Sequence, residues 1–286
     1  MTLTASRPLS RAAGTVRAGR PPVRWPLVAL LGVLSVLTVS PFVAMVVVAL
    51  SPAGRPTVPG RWPESLTLDN LTRVLSSSGF VSWTVNSLVY SVVSVVVILL
   101  TASMAGYAFA KKRFPGRDAM FWTFLATMMV PFQATLIPTF VLVNELGGVD
   151  TFWGLIVPTL ANTQAVFLMR QFILGLPDEL FDAAKVDGAS ELRVYWTIVV
   201  PLTRPILATL GVFVFLWHWN DFLWPLIVGQ SDTTRTLTVG LTTLRTEEMQ
   251  LSVLMASATI SVVPCLVVFF LLQRYLVNSI AMTGLK

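Results

Sequence analysis

Six long apolar runs dominate this chain, at about residues 25–50, 85–110, 119–143, 152–172, 205–228 and 252–276. Each reaches the ~20 residues that a bilayer core requires of a helix. In lipid every backbone N–H and C=O must be satisfied within the segment, so such runs are read as helices. The composition agrees: 55 % of the 286 residues are hydrophobic and only 12 % are charged, against roughly a quarter charged in soluble domains. The expected fold is an all-helical membrane protein with six transmembrane helices.

The basic residues orient it. Residues 1–24 carry Arg7, Arg11, Arg17, Arg20 and Arg24 without an acid, and Lys111, Lys112, Arg113 and Arg117 follow the second run. The turn after the third run holds Glu145 and Asp150 and no base. By the positive-inside rule both termini, the 111–117 loop and the stretch 177–201 face the cytoplasm. The domain reading is therefore a basic cytoplasmic tail, 1–24, and a transmembrane domain, 25–286. A signal peptide has the same basic-then-apolar form, but the run from Trp25 to Leu50 is too long and no A-x-A site follows it. It is read as a retained anchor. Loop 51–80 is rich in Pro, Gly and Ser and ends in an amphipathic piece from Leu66 to Leu75. Pro131 and Pro138 should bend the third span. Residues 229–251 are read as a polar external loop.

Many chemistries are excluded. One histidine, His218, and one cysteine, Cys265, allow no multi-His site and no disulfide framework. No G-x-x-x-x-G-K-[ST] loop is present, so ATP is not bound here in the P-loop manner. No cofactor is expected in this chain, and the net charge of +6 is spread over short loops rather than a nucleic-acid patch.

Between the fourth and fifth runs lies a charged island, Pro177 to Pro201. Asp178 can cap a helix start, and Glu179 and Asp182 suit the positive end of its dipole. Leu180, Phe181, Ala183 and Ala184 give an apolar stripe. Gly188 stands where a left-handed terminating residue is needed, Ser190 can start a second helix, and Pro201 marks its end or bend. The paired alanines, flanked by acids, would let another backbone approach closely. From the residues alone an ordinary surface helix–turn–helix also fits.

The spacing Asp182-Ala183-Ala184, three residues, Gly188, nine residues, Ile198, one residue, Val200-Pro201 resembles the EAA motif of binding-protein-dependent ABC importer permeases. Asp182 stands where that family has Glu, which keeps the charge and shortens its reach, and Val200 where it usually has Leu. Ala105-Gly106-Tyr107-Ala108 before the basic loop, Met129-Val130-Pro131 and WHWNDFLWPL (217–226) make the carbohydrate importers, and their smaller six-span maltose-type permease, the nearest likeness. The resemblance implies a coupling helix docked on an ATPase, with Asp182, Ala183, Ala184, Asp187, Gly188, Ile198 and Pro201 as its residues. It also implies a second homologous permease, two ATPase subunits carrying ATP and Mg, an extracellular solute-binding protein, a sugar-like or polyol or glycerol-phosphate solute, and a place in a bacterial inner membrane. In that family the C-terminal tail can reach the ATPases, and Thr283–Lys286 is the corresponding short tail.

Asp221 is the only carboxylate placed well within an apolar run, which makes it costly in lipid and a functional candidate. Trp219 and Trp224 could stack on sugar faces while Asn220 and Asp221 bond hydroxyls, with Asn162 and Gln164 as further polar candidates for the pathway. The opposing reading is an aromatic belt with polar residues packed between helices. Two other functions stay open: a proton-coupled secondary transporter using Asp221, and a membrane scaffold subunit.

Overall fold

The structure, a computed structural model, describes residues 25–52, 65–248 and 250–283. The basic tail, most of loop 51–80 and Gly284–Lys286 lie outside the described residues, as do the side chains of Glu247 and Glu248. Among the described residues every regular element is helical. Most of α1 (Trp25–Ala49) forms a unit by itself, with its side chains exposed along residues 25–43 as a lipid-facing run requires. The remainder, from Ala44 onward, forms the second unit.

In that second unit α2 (Asp69–Leu75) is tied back by Asn70, whose Nδ2 donates to the carbonyls of Ala49 (2.8 Å) and Ser51 (2.7 Å). The central rod is α3 (Phe80–Lys111), 32 residues and about 48 Å at 1.5 Å per residue. It packs along α7 (Thr163–Leu174) and α10 (Val200–Trp219), and α10 packs along α13 (Leu251–Thr283). Gly106 makes the α3–α7 contact possible. A Cβ there would lie 2.7 Å from the Met169 Cβ and 2.9 Å from the Arg170 backbone nitrogen.

Among the described residues four helices are long and apolar enough to cross a membrane: Trp25–Ala49, Phe80–Lys111, Glu191–Trp219 and Leu251–Gln273. Two further pairs pass only as bent units. The expected third span, 119–143, is α4 (Arg117–Ala126) with a 3-10 turn (Thr127–Met129), followed at 99° by α5 (Phe132–Glu145). Val130 is extended, as a residue before proline prefers, and Pro131 begins the new direction without an N–H to continue the ladder. Pro138 sits inside α5. The fourth is α6 (Phe152–Ile156) with a 3-10 turn (Val157–Thr159), joined at 45° to α7.

The fifth span departs most from expectation. It begins at Glu191 and ends at Trp219, rather than running 205–228. α9 (Glu191–Val194), a π-helical turn (Tyr195–Val199) and α10 form one 29-residue helix through Pro201 and Pro205. The π turn explains why Pro201 does not end it. Val200 N–H reaches back to Tyr195 O, and the extra residue in that turn absorbs the crowding that proline imposes. At the other end Asn220 caps α10, and 223–228 becomes a separate helix, α11 (Leu223–Val228). The stretch 229–251, read as a polar external loop, contains α12 (Leu237–Glu248).

That loop is pinned. Asp150, at φ 62°, accepts from Ser231 N–H (2.9 Å) and from the Thr234 hydroxyl. The Asp232 carboxylate takes Trp83 Nε1 (3.0 Å) and Arg235 Nη1 (2.8 Å), and its carbonyl takes Ser82 Oγ and Asn86 Nδ2. The starting end of α3 is thereby fixed to residues 231–235.

Candidate functional site

The island folds as a helix, a glycine turn and a second helix. α8 (Asp178–Val186) ends in a Schellman arrangement, with Ala189 N–H on Ala184 O and Gly188 N–H on Lys185 O, both 3.0 Å. Gly188 is left-handed at φ 68°, which only glycine takes without cost. Ser190 caps α9 by accepting from Arg193 N–H. Asp178, expected as the cap of α8, is instead its first residue and makes no cap bond. Its carboxylate goes to Lys111 Nζ at 2.6 Å.

α8 has two faces. Phe181 and Ala184 are buried against a core of Tyr107, Met169, Ile173, Val194 and Tyr195. Glu179, Asp182, Ala183, Val186 and Asp187 recur at helical spacing on the opposite side and are all exposed. Val186 is 88 % exposed, a branched apolar side chain surrounded by carboxylates. Asp182 holds Lys185 at 3.1 Å on that surface. The alanine pair is thus divided: Ala183 belongs to the outer face, while Ala184, at 7 %, belongs to the core. Ile198 packs on the same core and Pro201 lies within the continuous helix, so neither stands on the outer face.

The last turn of α3 grips the island from below. Lys111 Nζ donates to Asp178 and, at 2.7 Å, to Leu176 O, and lies 5.1 Å from the Phe181 ring centre. Lys112 pairs with Glu191 and sits over the Tyr107 ring. Tyr107 Oη donates to Glu191 at 3.0 Å and its ring stacks on Phe181. The hydroxyls of Ser103 and Tyr195 bond at 2.6 Å. The hydrogen bond from Lys111, and then its charge, hold the Asp178 carboxyl below the usual range. Sequence reading placed Lys111 and Lys112 as topology signals and missed their role in this grip. The one local hint is Tyr107 within the Ala105–Ala108 run.

The second candidate set separates on inspection. Trp219 and Trp224 are each 1 % exposed, and their indole N–H groups donate to Ser261 O (2.9 Å) and Leu155 O (3.0 Å). Their faces are covered, so neither stacks on a solute in this arrangement. Asp221 accepts from Tyr90 Oη at 2.9 Å. His218 donates from Nδ1 to Val214 O (2.8 Å), with Nε2 3.2 Å from the Thr159 hydroxyl and the ring edge-on to Tyr90. Asn162 spends its carbonyl capping α7 at Ala165 N–H. Asn220 and Gln164 are exposed. Through Tyr90, His218 and Asp221 the set joins α3, α10 and the 157–159 turn.

Residues 98–282 match the family described as "Binding-protein-dependent transport system inner membrane component". The chain belongs to that family. The permease is 39 % identical over 226 residues to the arabinooligosaccharides transport system permease protein AraQ of Halalkalibacterium halodurans, covering 78 % of this chain and 81 % of that one. It is 33 % identical over 208 residues to the sn-glycerol-3-phosphate transport system permease protein UgpE of Yersinia pestis, covering 72 % and 74 %. Its fold matches a chain of a bacterial ABC transporter involved in the import of the acidic polysaccharide alginate, with a TM-score of 0.77 at 24 % identity over 88 % of the permease and 95 % of that chain. The permease is therefore a multi-pass membrane subunit of a binding-protein-dependent ABC importer and not itself an enzyme.

Proposed function

We propose that this permease forms half of a translocation pathway for a carbohydrate or a related polyol or glycerol-phosphate solute, and that α8 is its docking element for an ATPase subunit. The observation that carries the docking reading is the outer face of α8, where Glu179, Asp182 and Asp187 surround Ala183 and the exposed Val186. Buried against the body on one side and bare on the other, the helix is built to be held by two partners. A basic groove with an apolar floor is the complementary surface. Carbohydrate and glycerol phosphate are the solute classes considered because relatives over most of the chain are named for arabinooligosaccharides and sn-glycerol-3-phosphate.

The six-span topology with both termini cytoplasmic rests on counting each bent pair as one span and on the charge asymmetry of the loops. The ion pair between Lys111 and Asp178 supports it, because the basic loop and the island must then share a side. A second, homologous permease completes the pathway, and two ATPase subunits close on the paired α8 helices. Closure moves them as levers and exchanges inward- for outward-facing states. Trp217 and Asn220 at the end of α10, and Leu223 at the start of α11, are the exposed members of the 217–224 stretch and so the ones able to meet solute or partner.

Uptake in a strain carrying this permease as its only copy tests the reading. Import should stop on ATP depletion and persist when the pH gradient is collapsed. The opposite pattern would favour proton coupling through Asp221, which its bond to Tyr90 leaves without independent support.

A further inference from the structure

The covalent route from α8 into the membrane is the helix Glu191–Trp219, interrupted early by the π turn at Tyr195–Val199. A π turn is one of the places where a helix kinks. Among the described residues, the strong polar ties between the island and a neighbouring element go instead to α3: Lys111 to Asp178 and to Leu176 O just before it, Lys112 and Tyr107 to Glu191, Ser103 to Tyr195. The helix that receives them is continuous over 32 residues. Its other end holds the 231–235 loop through Ser82, Trp83 and Asn86.

We infer that Tyr107, Lys111 and Lys112 are positioning residues that deliver the movement of α8 to α3, and that α3 carries it to the 231–235 loop. The inference rests on the docking role proposed for α8. A continuous helix fastened at both ends transmits displacement along its axis, because the packed core around it does not compress. The ties to Glu191 are charge-assisted and converge from two residues, so the orientation of the α8–α9 turn relative to α3 is fixed as well as its distance. Lys111 is enclosed between the Phe181 ring, Asp178 and Leu176 O, which makes it the anchor. Lys112 is the more accessible of the two lysines, so its pair with Glu191 is the part of the grip that can be altered with less disturbance of the core.

The test uses the assembled importer in proteoliposomes, with Lys112→Glu, Glu191→Lys and the double reversal. Each single variant should retain the ATPase subunits on purification and keep basal ATP hydrolysis. The extra hydrolysis and uptake evoked by the solute-loaded binding protein should fall by about tenfold, a size ordinary for one coupled pair. The double reversal should restore both to within about twofold of wild type. Single variants with wild-type stimulation would overturn the inference, as would a double variant no better than either single one. Loss of the ATPase from a single variant would also overturn it, since the pair would then serve docking itself. If wild-type complex carries no ATPase, the docking proposal fails instead.

Discussion

Ala183 and Ala184 are neighbours in sequence and face opposite ways, Ala184 into the core beside Phe181 and Ala183 outward between Asp182 and Val186. The division separates a folding position from a docking position at adjacent residues. Ala183→Arg should leave the detergent melting temperature within a degree or two of wild type and abolish ATPase binding. Ala184→Leu overfills a packed site and should cost about 1–3 kcal/mol of stability. Thermal melts beside affinity capture would tell the two apart; equal losses of stability would contradict the assignment of faces.

Gly106 bears on how α3 meets α7. A side chain there collides with Met169 Cβ and with backbone at Arg170, which cannot rotate away. Gly106→Val should lower stability by about 1–3 kcal/mol or prevent folding, whereas Gly106→Ala should be the milder of the two. A pair of variants as stable as wild type would mean that α3 and α7 are less close than described.

The buried tryptophans can be separated from solute recognition. Trp224→Phe removes the N–H that satisfies Leu155 O and should cost about 1–3 kcal/mol, with the order of preference among solutes unchanged. Trp217→Ala touches an exposed ring and should leave stability alone. Competition uptake assays that showed altered selectivity for Trp224→Phe would overturn its structural role.

Much of this is legible in the sequence, and the limits have physical causes. Hydropathy shows where lipid solvates a helix, so α1, α3 and α13 stand out. It cannot show that a helix continues into charged sequence, which hides the start of the fifth span at Glu191. Pro201 reads as a stop because a ladder bond is lost there, yet the π turn before it re-routes the ladder. Gly188 was readable since a left-handed helix end demands glycine locally. The grip of Lys111 and Lys112 was not, since it joins residues some 65 to 80 positions apart, and the same lysines already had a sufficient explanation as topology signals.

The Asp178 carboxyl, held below the ordinary value by Lys111, gives the island an acid limit. A lowered folded-state value means the stabilisation is complete above about 3.9, the ordinary aspartate value, and is lost as pH falls through the folded one. Hydrogen exchange of residues 178–189 should therefore quicken below about pH 4 relative to its intrinsic rate. In Asp178→Asn the exchange should be faster at neutral pH and lack that acid step. A wild-type profile in the variant would remove Asp178 from the grip.

The most direct measurement is affinity capture of the solubilised permease, wild type against Gly188→Asp, with the co-purifying chains identified. Gly188 has open space around it and a left-handed backbone, so the substitution strains the turn that aims α8 without crowding the core. Wild type should bring down an ATPase and a second permease, and the variant should keep the permease and lose the ATPase. An ATPase retained equally by both, or absent from the wild type, would contradict α8 as the coupling element.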